Sequence, residues 1–153
     1  MRPIVFATLL LLAGSAAAAD LPHHHLAGFL GGGAETTRGG REREIGIAAG
    51  IQYEYRFHQQ WGVGGLFELL GQDTLRNAIV AVPVSWHPSN NWRLFVGPGY
   101  EFTDKKDKAL LRVGVGYEIH VNDRWTVAPE IFADFIDDGA RTLVGGVAFG
   151  YQF

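Results

Sequence analysis

The chain of 153 residues contains no cysteine, which excludes disulfides, a lipidated N-terminal cysteine and thiolate metal ligands. It also lacks an apolar run near the roughly 18 to 20 residues that a helix needs to span a bilayer; Ile4 to Leu12 is too short. There is no excess of basic charge. Without Arg2 the count is 12 basic against 16 acidic residues, a net charge of −4, which argues against a nucleic-acid partner. Helical periodicity is missing after the first twenty residues, and so are the GxGxxG, P-loop, HExxH and CxxC spacings. Gly97-Pro98-Gly99 and Gly114-Val115-Gly116 open no helix, so they read as strand glycines rather than phosphate cradles.

What is present is glycine, at 21 of 153 residues, beside 47% hydrophobic content, a composition that fits an all-β chain better than a disordered one. Arg2, the apolar stretch Ile4 to Leu12 and Ala17-Ala18-Ala19 before Asp20 form the pattern of a secretory leader. The expected division is therefore a signal peptide over 1–19 and one domain over 20–153.

From Ile45 to Phe57 the chain alternates without a fault. Ile45, Ile47, Ala49, Ile51, Tyr53, Tyr55 and Phe57 fall on one side, Gly46, Ala48, Gly50, Gln52, Glu54 and Arg56 on the other. Similar segments fall at His25 to Gly33, Trp61 to Gln72, Asn77 to Trp86, Trp92 to Thr103, Ala109 to His120, Trp125 to Ile136 and Thr142 to Phe153, eight in all. Each has an uncharged face, such as Trp92, Leu94, Val96, Pro98, Tyr100 and Phe102. The opposite faces hold Glu54, Arg56, Glu68, Arg93, Glu101, Arg112, Glu118, Glu130 and Asp134. Lys or Arg on a lipid-facing strand surface costs roughly 2 to 4 kcal/mol at mid-membrane, so exclusion of charge from one face is what lipid would enforce. A soluble barrel would show the reverse contrast. The expectation is an eight-stranded antiparallel up-and-down transmembrane β-barrel with a filled polar lumen. The first strand does not declare its phase, since Leu26, Gly28, Leu30 and Ala27, Phe29, Gly31 are comparable faces.

Trp61, Trp86, Trp92 and Trp125 lie at strand ends beside alternate connections, where amphipathic rings suit a membrane interface. With eight strands and an N-terminus delivered to the periplasm, the connections His58 to Gln60, His87 to Asn91 and Val121 to Arg124 are expected on the periplasmic side. Residues 34–43, 73–76, 104–108 and 137–141 then face outward as short loops. The chain resembles the small eight-stranded outer-membrane barrels, the class of the OmpA transmembrane domain and OmpX. Its ending, Phe149-Gly150-Tyr151-Gln152-Phe153, is similar to the terminal-aromatic strand recognised by outer-membrane assembly machinery in that class. The resemblance implies a monomer in the outer membrane of a Gram-negative cell, in contact with lipid and lipopolysaccharide, with a structural or surface-interaction role.

Three constellations invite chemistry. The nine inward charges read as a structural ion network, because a buried charge needs partners; Arg112 is expected diagonal to Glu101, with Glu130 or Asp134 near it. A proton or ion path is the competing reading. Ser85 and His87 share one inward face and hint at a hydrolase such as a lipid A-modifying enzyme, but no orienting carboxylate is evident from the sequence. His58, His87 and His120 open the three periplasmic turns and are expected to point inward, making them rim candidates for zinc, copper or nickel. The reading adopted is a barrel without catalysis, cofactor or resident metal.

Overall fold

A computed structural model describes residues 23–36, 39–40, 43–71 and 77–153. The expected leader over 1–19 and the connection 73–76 lie outside the described residues. Ten strand segments follow in chain order: β1 (His24–Thr36), β2 (Arg43–His58), β3 (Trp61–Gly71), β4 (Asn77–Ala81), β5 (Val84–Trp86), β6 (Trp92–Phe102), β7 (Lys108–Tyr117), β8 (Ile119–His120), β9 (Trp125–Ile136) and β10 (Arg141–Gln152). Each pairs antiparallel with its neighbours, and β10 pairs with both β9 and β1, so the sheet closes on itself. Among the described strands no free edge remains to template association.

The ten segments make eight staves. β4 and β5 are one stave interrupted at Val82-Pro83, because proline has no N–H to give the ladder. Pairing continues around the break: Val82 N–H donates to Pro98 O at 3.0 Å, and Gly64 N–H donates to Pro83 O at 2.9 Å. Gly97 is required opposite it, since a Cβ there would stand 2.5 Å from Pro83 Cα. β7 and β8 are likewise one stave, interrupted at Glu118, whose N–H turns to Asn91 O at 2.6 Å.

Burial follows the period of two. In β6 every second residue is buried, from Arg93 through Glu101, while Trp92 through Phe102 alternate as exposed. Ile45 and Ile47 are 68% and 60% exposed, whereas Glu54, Glu68, Glu101 and Glu130 are all at 5% or less. This inversion of the soluble pattern is stable only if the exterior solvent is apolar. The first stave takes Ala27 and Phe29 inward and leaves Leu26 and Leu30 outside. Its register against both β2 and β10 sets that choice: Phe29 lies opposite the inward-phase residues Gly50 and Ala148.

A charged lumen and its aromatic septum

Side chains from β2, β6, β9, the end of β5 and the β7–β8 break converge at the tryptophan-bearing end of the lumen. Glu54 on β2 accepts from Arg56 Nε at 3.1 Å and from His87 Nε2 at 2.8 Å through the same oxygen, Oε1. Its second oxygen lies 3.1 Å from Arg93 Nε on β6, within ion-pair reach. Arg93 Nη1 donates to Gln52 Oε1 and to Glu130 Oε1, each at 3.0 Å, and Gln52 Nε2 closes the circuit onto Glu130 Oε2 at 2.8 Å. Arg56 Nη2 reaches both Glu118 oxygens, at 3.0 and 2.8 Å. Removing several charges from water is expensive, and the hydrogen bonds and ion pairs that link these groups offset that cost.

Toward the other end, Arg112 on β7 forks twice. Nε and Nη2 donate to the two oxygens of Asp134, both at 2.7 Å, and Nη1 and Nη2 donate to Glu68 at 3.2 and 3.0 Å. These are the paired, planar contacts that guanidinium geometry favours. Between the two clusters stand three phenyl rings. Phe29 and Phe95 lie 5.4 and 6.2 Å from Phe132, and the guanidinium groups cover the stack from either side. Arg93 sits 4.7 Å over Phe95, and Arg112 sits 4.0 Å over Phe132. Gly114 leaves the space these rings occupy, since a Cβ there would clash with Phe95 Cζ and stand 2.7 Å from Phe132 Cβ.

Several expectations need correction. Arg112 does not lie beside Glu101: the β6–β7 register sets Gly97 opposite Arg112 and Glu101 opposite Lys108. Glu101 instead accepts from Asn77 Nδ2 at 3.0 Å. Of the two carboxylates proposed for Arg112, Asp134 takes the position, being its direct partner on β9, while Glu130 belongs to Arg93. His58 and His120 do not point inward; both are exposed. A register shift between Arg56 and His58 takes His58 out of the ladder's phase, and the break at Glu118 does the same for His120. His87 alone of the three is buried, and Glu54 holds it. No group of three or more His, Asp or Glu among the described residues is placed to hold a metal.

Ser85 and His87 are both inward, as their spacing indicates, and Glu54 is an orienting carboxylate that sequence inspection did not find. Ser85 and His87 nevertheless form no hydrogen bond with each other; each is held by another residue. Ser85 Oγ is approached by Arg93 Nε at 3.4 Å, and the residues are 1% and 3% exposed. Gln52 and Asn77 were also missed as members of the lumen network. Gln52 carries a legible signal, lying on the polar face of β2 two residues before Glu54.

At the opposite rim, Lys108 Nζ lies 2.9 Å from Asp138 in the 137–140 turn. The Lys108 hydrogen bond, helped by the Ala140 N–H, holds the Asp138 carboxyl below its ordinary range. The terminal aromatics face outward at the tryptophan end, where Tyr151 packs against Trp125 at 4.9 Å and Phe153 at 6.1 Å.

A sealed antiparallel cylinder, greasy outside and ionic within, defines a β-barrel that crosses a membrane with strands; no described helix is long and apolar enough to do so. Residues 4–153 match the outer membrane protein beta-barrel domain family, and the chain belongs to it. It is an outer-membrane protein. The structure is similar to Ail, the attachment invasion locus protein of Yersinia pestis, with TM-score 0.62 and 14% identity over 87% of this chain and 100% of that one. It is also similar to the N-terminal barrel domain of Pseudomonas aeruginosa OprF, with TM-score 0.63 and 10% identity over 86% and 98%. Neisserial surface protein A gives TM-score 0.61 and 8% identity over 86% and 97%. At such identities the likeness is one of fold. No curated protein matches the chain.

Proposed function

We propose that this protein is a non-catalytic, monomeric barrel with a permanently filled lumen, serving the outer membrane as a structural or surface-interaction element. The observation that carries the reading is the septum: Arg93, Phe95, Phe132 and Arg112 stack across the interior, with Phe29 beside them. Eight strands leave an interior just wide enough for side chains, and here aromatic rings take up its middle. The nine inward charges then act as a scaffold that ties staves together from within. The lipid A-enzyme alternative loses ground because Ser85 and His87 are enclosed and not hydrogen-bonded to each other. Membrane lipid and lipopolysaccharide contact the outward face, and Phe149, Tyr151 and Phe153 present the terminal strand to the assembly machinery.

Planar-bilayer recording tests the reading. Wild-type protein should leave conductance near background, and so should Arg112→Leu, although that variant unfolds more easily. Large, steady single-channel currents from the wild type would refute it.

A further inference from the structure

The outward surface is not uniform. Between β1 and β4 it carries a depression of about 340 Å³, walled by Leu26, Tyr53, Phe67, Val80 and Val82 and floored at Gly65. Gly65 creates it: a Cβ at that position would find nothing within 4 Å. Leu26, Tyr53 and Gly65 lie in one cross-strand row, and Phe67 and Val80 face each other in the next. Two residues along β3 from Gly65, Val63 faces Val84, and beyond them Trp61 faces Trp86 in the aromatic collar, with ring centroids 6.3 Å apart. At the same side, His24 Nδ1 and the Tyr53 hydroxyl are hydrogen-bonded at 2.7 Å. Uncharged side chains therefore line the wall from the depression to a collar bearing imidazole, phenol and indole groups.

We infer that this depression and the wall beside it hold one phospholipid molecule of the leaflet on the tryptophan side, an acyl chain in the Gly65 depression and its headgroup among His24, Tyr53 and Trp61. The face belongs to an outer-membrane protein, so hydrocarbon is the medium that meets it. A hydrocarbon chain conforms to a depression between staves, whereas the convex wall of a second barrel reaches into it with a side chain at most. Acyl tails are as apolar as the wall, so retention comes from packing and from the polar groups at the collar, not from the hydrophobic effect.

The test counts phospholipid retained per barrel after purification in detergent, by native mass spectrometry. Wild type should keep one molecule. Gly65→Leu should lower retention about tenfold, the change that roughly 1.4 kcal/mol of lost affinity represents. Gly145→Leu is the control: that glycine is also outward, with only Glu130 O, at 3.9 Å, near its missing Cβ. It should retain the lipid. A second measurement needs no change at Gly65. In protein carrying Trp92→Phe and Trp125→Phe, retained dibrominated phosphatidylcholine should quench Trp61 and Trp86. Absence of bound lipid in wild type, unchanged retention in Gly65→Leu, or unquenched Trp61 and Trp86 would each overturn the inference. So would a barrel dimer that disappears in Gly65→Leu.

Discussion

Replacing Arg112 with methionine removes the cation from the best-satisfied cluster in the lumen. Arg112 donates four hydrogen bonds to Glu68 and Asp134 and covers the Phe132 ring at 4.0 Å, with only 1% exposure. Methionine keeps much of the volume but leaves two carboxylates facing each other without a partner. Breaking a buried ion pair by deleting one side costs about 3 to 5 kcal/mol, because the remaining charge is uncompensated. The cation–π contact adds about 2 kcal/mol when desolvated, partly replaced by sulfur–aromatic contact. A destabilisation of about 4 to 6 kcal/mol is therefore expected at neutral pH. Denaturant unfolding in lipid vesicles, read by tryptophan emission and by the gel shift of unboiled protein, measures it. The decisive comparison is the triple variant Arg112→Met, Glu68→Gln, Asp134→Asn. Removing the orphaned charges should recover about half or more of the loss, since replacing a whole buried network is often near neutral. If Arg112→Met costs less than about 1 kcal/mol, or the triple variant is no better than the single one, the argument that charge saturation governs this lumen is wrong.

Gly114→Ala should cost about 1 to 3 kcal/mol by forcing Phe95 and Phe132 apart, while Gly28→Ala, which meets nothing within 4 Å, should be near neutral by the same unfolding assay. Glu54→Gln should lower the unfolding midpoint and release His87, so that His87 ring resonances in nuclear magnetic resonance lose the signature of a carboxylate partner. In the rim turn, a depressed Asp138 pKa means stability present above the unfolded carboxylate value and lost as pH falls through the folded one. Lys108→Ala should return the Asp138 titration upward toward its ordinary value, with a stability change within about 1 kcal/mol because the pair is exposed. Deleting Phe153 should reduce the fraction of heat-modifiable barrel assembled in cells without changing total synthesis, if the terminal aromatics serve assembly.

The sidedness of this protein is legible in the order of its residues alone. A strand shows its two faces in the order of its residues, so Ile45 to Phe57 declares a lipid face and a lumen face with no knowledge of neighbours, and the staves Trp61 to Trp86 and Trp92 to Phe153 repeat it. Which charge meets which was decided only by closure and register, since residues remote in the chain become neighbours across the lumen. Glu54 and His87 are 33 positions apart and Arg112 and Glu68 are 44 apart, and no local pattern links them. The phase of β1 was equally illegible, because Phe29 and Leu30 are alike in chemistry and only pairing with β2 and β10 sends one inward. His58 and His120 misled the alternation argument for a related reason. Their segments leave the regular ladder, at a bulge and at a break, and such departures arise from how staves join at the barrel's end, where period two no longer governs.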